Sequence, residues 1–97
     1  TDANGTIAPP VTITMTNVQP NSEIRAYVGT NPATAVEIDG VENSGTSFTF
    51  SQTEAGNDGY IVVAAQDYEN LKINITYIAQ NQSIPIQQRF DRNYRND

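Results

Sequence analysis

Apolar residues recur at every second position along most of this chain, and helical spacing is nearly absent. In Val11-Thr12-Ile13-Thr14-Met15-Thr16-Asn17, one face is aliphatic and the other carries threonine, the two-residue repeat of a half-buried strand. Ile24, Ala26 and Val28 alternate in the same way with Glu23, Arg25 and Tyr27. Val36 and Ile38 alternate with Glu37 and Asp39, and Asp39-Gly40 then reads as a tight-turn signal. Phe48 and Phe50 share one face of a strand over 47–51. Tyr60 to Ala65 is apolar on both faces, which predicts a central strand covered on each side. Leu71, Ile73, Ile75 and Tyr77 alternate with Lys72, Asn74 and Thr76. Ile84 and Ile86 frame Pro85, which has no amide hydrogen for a ladder, so this last strand belongs at a sheet edge.

Turn-forming clusters separate these segments: Gln19-Pro20-Asn21-Ser22, Thr30-Asn31-Pro32, Asn43-Ser44-Gly45, the EAGNDG stretch at 54–59, and Asn81-Gln82. About seven short strands at such spacing predict an all-β fold, an Ig-like two-sheet sandwich with an extended N-terminal leader. The expected organisation is a leader over 1–10, ending in Pro9-Pro10, a sandwich over 11–88, and a C-terminal tail over 89–97.

Charge narrows the partners. The chain carries −6, with two cations against nine carboxylates over 1–88 and a tail of +1. An acidic body repels a phosphate backbone, so nucleic acid is not expected as a partner. No apolar run is long enough to span a membrane. Asn, Gln, Thr and Ser make up about a third of the chain, while charged residues reach only 16%, a surface more usual outside the cell or on a virion than in the cytosol.

The residue inventory is poor in chemistry. With no His and no Cys, acid–base and covalent catalysis would fall to carboxylates alone. Glu54 with Asp58, or Asp67 with Glu69, are the available pairs, and in so small a domain they read as solvated loop charges. Neither an enzyme nor a cofactor is expected. Calcium would need loop oxygens from Glu54, Asn57, Asp58 and Asp67 to converge at one end of the sandwich. Carbohydrate would need aromatic platforms among Tyr27, Tyr60, Tyr68, Tyr77 and Tyr94. Of these, Tyr27 alternates outward, and Tyr60 and Tyr77 are expected to cap the core. Asn4, Asn74 and Asn81 each open an N-x-S/T sequence, the acceptor pattern for N-linked glycan. In the tail, Phe90, Arg92 and Tyr94 are candidates for docking on a neighbour, since exposed aromatics are otherwise unexplained.

Gly59-Tyr60-Ile61-Val62-Val63-Ala64-Ala65-Gln66-Asp67-Tyr68, with Ser22-Glu23-Ile24-Arg25-Ala26-Tyr27 before it, resembles transthyretin-like, carboxypeptidase-regulatory-type sandwich modules. Asp67 stands where those modules usually have Gly before the Tyr. The end, Ser83-Ile84-Pro85-Ile86-Gln87-Gln88-Arg89-Phe90-Asp91-Arg92-Asn93-Tyr94, is similar to sandwich modules of phage and bacterial extracellular proteins. The resemblance implies a structural accessory module outside the cell and carries over no site residues.

Two functions from different classes follow. The first is a subunit of a self-assembling extracellular fibre or pilus-like filament, joined by donor-strand exchange. In it the strand over 11–17 inserts Val11, Ile13 and Met15 into another copy of the chain. The second is a monomeric module of a phage tail or secreted protein that binds cell-surface glycans through Tyr27 and the end loops.

Overall fold

The computed structural model describes residues 10–92, so most of the leader, with Asn4, and the last five residues, with Tyr94, lie outside the described residues. Among the described residues, seven strands and no helix form two packed sheets: β1 (Val11–Thr16), β2 (Glu23–Val28), β3 (Val36–Val41), β4 (Phe48–Gln52), β5 (Asp58–Ala64), β6 (Leu71–Thr76) and β7 (Gln82–Pro85). One sheet has the order β4-β1-β7, the other β3-β2-β5-β6. This is the two-sheet sandwich that the alternation predicts.

The two-residue period sets which side chains meet between the layers. From β1, Ile13 and Met15 point inward with no solvent exposure, and Ile24, Ala26, Ile61 and Val63 meet them from β2 and β5. Val18, Phe50, Tyr77 and Ile86 complete the core cluster. β5 lies between β2 and β6, as its apolar run predicts, and β7 is an edge strand, as Pro85 requires.

β1 sits in its own sandwich. It pairs antiparallel with β4, from Val11 opposite Gln52 to Met15 opposite Phe48, and parallel with β7, from Ile13 opposite Gln82 to Thr16 opposite Pro85. The connection to β2 is pinned by polar groups. Asn17, with φ of 59°, donates its side-chain amide to the Ile86 carbonyl at 2.9 Å, and the Val18 amide donates to the Thr46 carbonyl at 2.9 Å. Ser22 and Ser44 are buried. The Ser22 hydroxyl donates to the Gln19 carbonyl at 2.6 Å and accepts from the Gln88 amide at 3.2 Å, while the Gln19 amide donates to Gln88 Oε1 at 2.8 Å. Each buried polar atom in this knot has a partner, so it adds specificity without an orphan's desolvation penalty.

Two expectations need correction. Asp39-Gly40 does not turn the chain but lies inside β3. A Cβ on Gly40 would meet the Ile24 carbonyl oxygen at 2.8 Å and the Arg25 side chain at 3.1 Å. The glycine therefore serves a close approach, beside a register shift that leaves Ile38 unpaired between Asp39 opposite Ala26 and Glu37 opposite Tyr27. Tyr60 does not cap the core. It lies opposite Tyr27, on the outer face of the four-stranded sheet. Within the expected tail, the Arg89 carbonyl accepts from the Glu69 amide and the Asp91 amide donates to the Asp67 carbonyl. Asp67 itself has φ of 68°, a left-handed conformation that glycine adopts freely and that Asp and Asn tolerate better than other residues.

Gly59 is the most closely approached of the described glycines. A Cβ there would collide with the Tyr27 carbonyl oxygen and stand 2.8 Å from the Tyr77 ring, whereas one on Gly45 would meet nothing within 4 Å. Gly59→Ala should therefore cost about 2–4 kcal/mol in urea denaturation, while Gly45→Ala stays within about 0.5 kcal/mol of the parent.

Candidate binding face

The four-stranded sheet turns a chemically varied face to solvent. Parity places Arg25 and Tyr27 of β2, Asp58, Tyr60 and Val62 of β5, and Lys72, Asn74 and Thr76 of β6 on it. Register then joins them across strands: Tyr27, Tyr60 and Asn74 form one row, and Asp58 and Thr76 another.

In the aromatic row, the Tyr27 and Tyr60 rings stack with centroids 4.8 Å apart and planes 24° from parallel. Lys72 Nζ stands 4.6 Å from the Tyr60 ring centre. The ammonium is drawn to the negative face of the ring, and the lysine stem covers apolar surface as it folds over. Tyr60 is thus covered on an outer face, with only 6% of it exposed, while Tyr27 is partly open. Beside this row lies an open depression of about 290 Å³, lined by Thr30, Asp58, Gly59, Asn74, Ile75 and Thr76. Thr76 Oγ1 donates to Asp58 Oδ1 at 2.7 Å, which orients the carboxylate. Hydroxyls, an amide and a carboxylate therefore converge next to a tyrosine row.

The other end of the face is ionic. Arg25 lies across Gly40, with Nη2 donating to Glu23 at 2.8 Å, Nη1 to Glu37 at 3.1 Å, and a further contact to Glu42. Hydrogen bonding to Glu23, ahead of the Glu37 contacts, raises the guanidinium pKa above its ordinary value, against the opposing effect of desolvation. One cation among three carboxylates leaves this end negative.

The remaining sequence candidates are scattered. Glu54 accepts from Asn57 Nδ2 at 3.2 Å and is not among the residues that line the depression. Asp58 opens β5 and Asp67 lies past its other end, so the oxygens proposed for calcium do not converge. Among the described residues, no group of three or more carboxylates is arranged to hold a metal ion. Glu69 pairs with Arg89 at 3.6 Å, with Arg89 well exposed and Glu69 partly so. Asn74 is exposed on this face; Asn81 is exposed too, but its Oδ1 accepts from the Thr12 amide at 2.9 Å. Phe90 docks on its own chain, its ring edge-on to Tyr68 at 5.4 Å, although 58% of it stays exposed. Arg92 is exposed. No described helix is long and apolar enough to cross a membrane.

Lys72 and the Arg25 cluster are the members of this face that sequence reasoning missed, and Asp58, expected as a loop charge, opens β5 instead. The outward parity of Arg25 and Lys72 was legible, but the cross-strand register that brings them beside Glu37 and Tyr60 was not. Comparison with known proteins finds no matching family model, no matching curated protein and no matching solved structure.

Under the depression, the Tyr77 ring rests against Gly59 with no solvent exposure, and its hydroxyl donates to the Tyr27 carbonyl at 2.8 Å. Burial, and secondarily the Glu54 charge, push its ionisation from 10.0 up to about 12. The folded state then holds this proton more tightly than the unfolded chain. The associated stability is complete below pH 10 and is lost as pH rises towards 12. Denaturation across this range should show a loss of the order of 2–3 kcal/mol. Tyr77→Phe should flatten that dependence and cost about 1 kcal/mol at neutral pH, from the missing hydrogen bond.

Proposed function

We propose that this domain is a non-catalytic recognition module, displayed outside the cell or on a virion, that binds saccharide on the outer face of its four-stranded sheet. The observation that carries this reading is the tyrosine row beside the depression formed by Thr30, Asp58, Asn74 and Thr76. A sugar presents hydroxyls that both donate and accept, together with C–H faces that suit aromatic rings. Asp58 accepts, Asn74 and the threonines do both, and Tyr27 offers partly open ring surface beside them. A chain without His or Cys is suited to holding such a ligand rather than transforming it.

Donor-strand exchange is the second reading. The observation that favours it is that β1 alone joins β4 to β7, so a copy lacking its own β1 would leave a groove one strand wide. The knot around Gln19, Ser22, Ser44 and Gln88 weighs against it, because it fixes the connection that an exchanged strand would have to open.

A glycan array followed by NMR titration of the intact domain tests the first reading. A binding glycan should shift resonances of Tyr27, Asp58 and Asn74. Tyr27→Ala should weaken it by about ten-fold, or 1.4 kcal/mol, and Thr49→Ala on the opposite sheet should leave it unchanged. Equal binding by Tyr27→Ala would refute the assignment. For β1, the first reading expects a compact monomer in size-exclusion chromatography at low micromolar concentration. Filaments assembled from intact chains, and lost on deletion of residues 1–17, would instead establish exchange.

A further inference from the structure

We infer that β6 is a pairing edge for a second copy of this chain, with β6 against β6 of the partner in antiparallel order, so that two four-stranded sheets become one of eight strands.

An edge strand exposes a row of unpaired amides and carbonyls, and folded proteins guard such rows with proline, bulges, short length or projecting charge. The other edge of the same sheet, β3, carries the register shift and Gly40. In the smaller sheet, β7 has four residues and Pro85, and β4 has five, with Phe50 and Gln52 already buried. β6 has none of these features. It pairs with β5 without a shift from Asp58 opposite Thr76 to Val63 opposite Leu71, and it holds neither Gly nor Pro. Its one charge, Lys72, is folded over the Tyr60 ring and so does not guard the edge. Meanwhile Leu71, Ile73 and Ile75, which face the core, all stay partly exposed. A four-stranded layer overhangs a three-stranded one, and along β6 the overhang is apolar.

A second copy suits this edge better than an unrelated strand because its apolar and polar positions match their symmetry mates and no like charges meet. With Ile73 opposite its symmetry mate, Leu71 faces the partner's Ile75, so three apolar contacts form on the inner side. On the outer side, Lys72 faces the partner's Asn74, and no like charges oppose one another. β6 carries no carboxylate, so two chains of −6 meet along an edge free of negative charge. A six-residue edge buries far less than the ~800 Å² per partner of a stable complex, so the dimer is weak, with a dissociation constant on the order of 100 µM. Because the copies repel at long range, added salt strengthens it.

Sedimentation equilibrium on the full chain, made in a host without N-glycosylation and without ligand, tests this independently of saccharide binding. The parent should show a concentration-dependent monomer–dimer equilibrium that tightens with salt. Asn74 is exposed, so its substitution leaves the fold intact, as circular dichroism would verify. Asn74→Glu places two carboxylates opposite two lysines and should tighten the dimer about three- to ten-fold; Asn74→Lys opposes like charges and should weaken it by a similar factor. A parent that stays monomeric at millimolar concentration overturns the inference. So do two substitutions with effects of the same sign, or with no effect on an existing dimer.

Discussion

The whole structure rests on one strand holding two others together. Among the described strands, β4 and β7 do not pair with each other, and each pairs only with β1. Ile13 and Met15 are also the contribution of β1 to the core, with no solvent exposure. Removing β1 would therefore both divide the smaller sheet and strip one wall from the hydrophobic interior. For a chain of 97 residues without disulfides, little else could offset that loss. This dependence explains the polar knot behind the strand: the 17–22 connection is tied at several points to the segments around Ser44 and Ile86–Gln88. The same dependence makes β1 attractive as a donor strand and costly to release.

Most of the strand plan was legible in the residues, since alternation reports which side chains are buried whatever the partner strand. Pro85 at an edge and the apolar Tyr60–Ala65 run at a sheet centre follow from single-residue chemistry, and both positions are observed. What could not be read was contact between strands. Asp39-Gly40 carries the dipeptide of a tight turn, but the glycine is needed for close approach to Ile24 and for the Arg25 guanidinium to cross the strand. Tyr60 looks like a core residue by its apolar neighbours, yet register sets it beside Tyr27 on the outer face. Phe90 looks like a free aromatic by sequence, yet it pairs with Tyr68. In each case the deciding partner lies more than ten residues away along the chain.

Charge is divided between the two sheets as sharply as burial is. β1, β4 and β7 contain no ionisable side chain, and their outer positions are filled by Thr12, Thr14, Thr16, Thr49, Ser51 and Ser83. Glu23, Arg25, Glu37, Asp39, Asp58 and Lys72 all fall on β2, β3, β5 and β6. A face of hydroxyls is well served by β-branched threonine, which suits a pleated surface. The charged face has oriented groups, because each ion there is held by a neighbour: Arg25 by carboxylates, Asp58 by Thr76, Lys72 by a ring. Ordered polar groups around an open depression are what recognition needs, and this places the candidate site on the larger sheet.

The fold of Lys72 onto Tyr60 links that site to the sheet edge. The lysine covers one ring face and helps bury an aromatic that would otherwise be exposed on the surface. By turning inward over the sheet it also gives up the task that edge lysines commonly perform, projecting charge past the strand to deter pairing. One interaction therefore both completes the tyrosine row and leaves Leu71–Thr76 unguarded. If two copies pair there, their depressions, lined in part by Asn74 and Thr76 of β6, come to lie on the same face of a continuous sheet. A repeating polymer could then engage both at once, and the weak affinity expected of each shallow depression would be raised by the second contact.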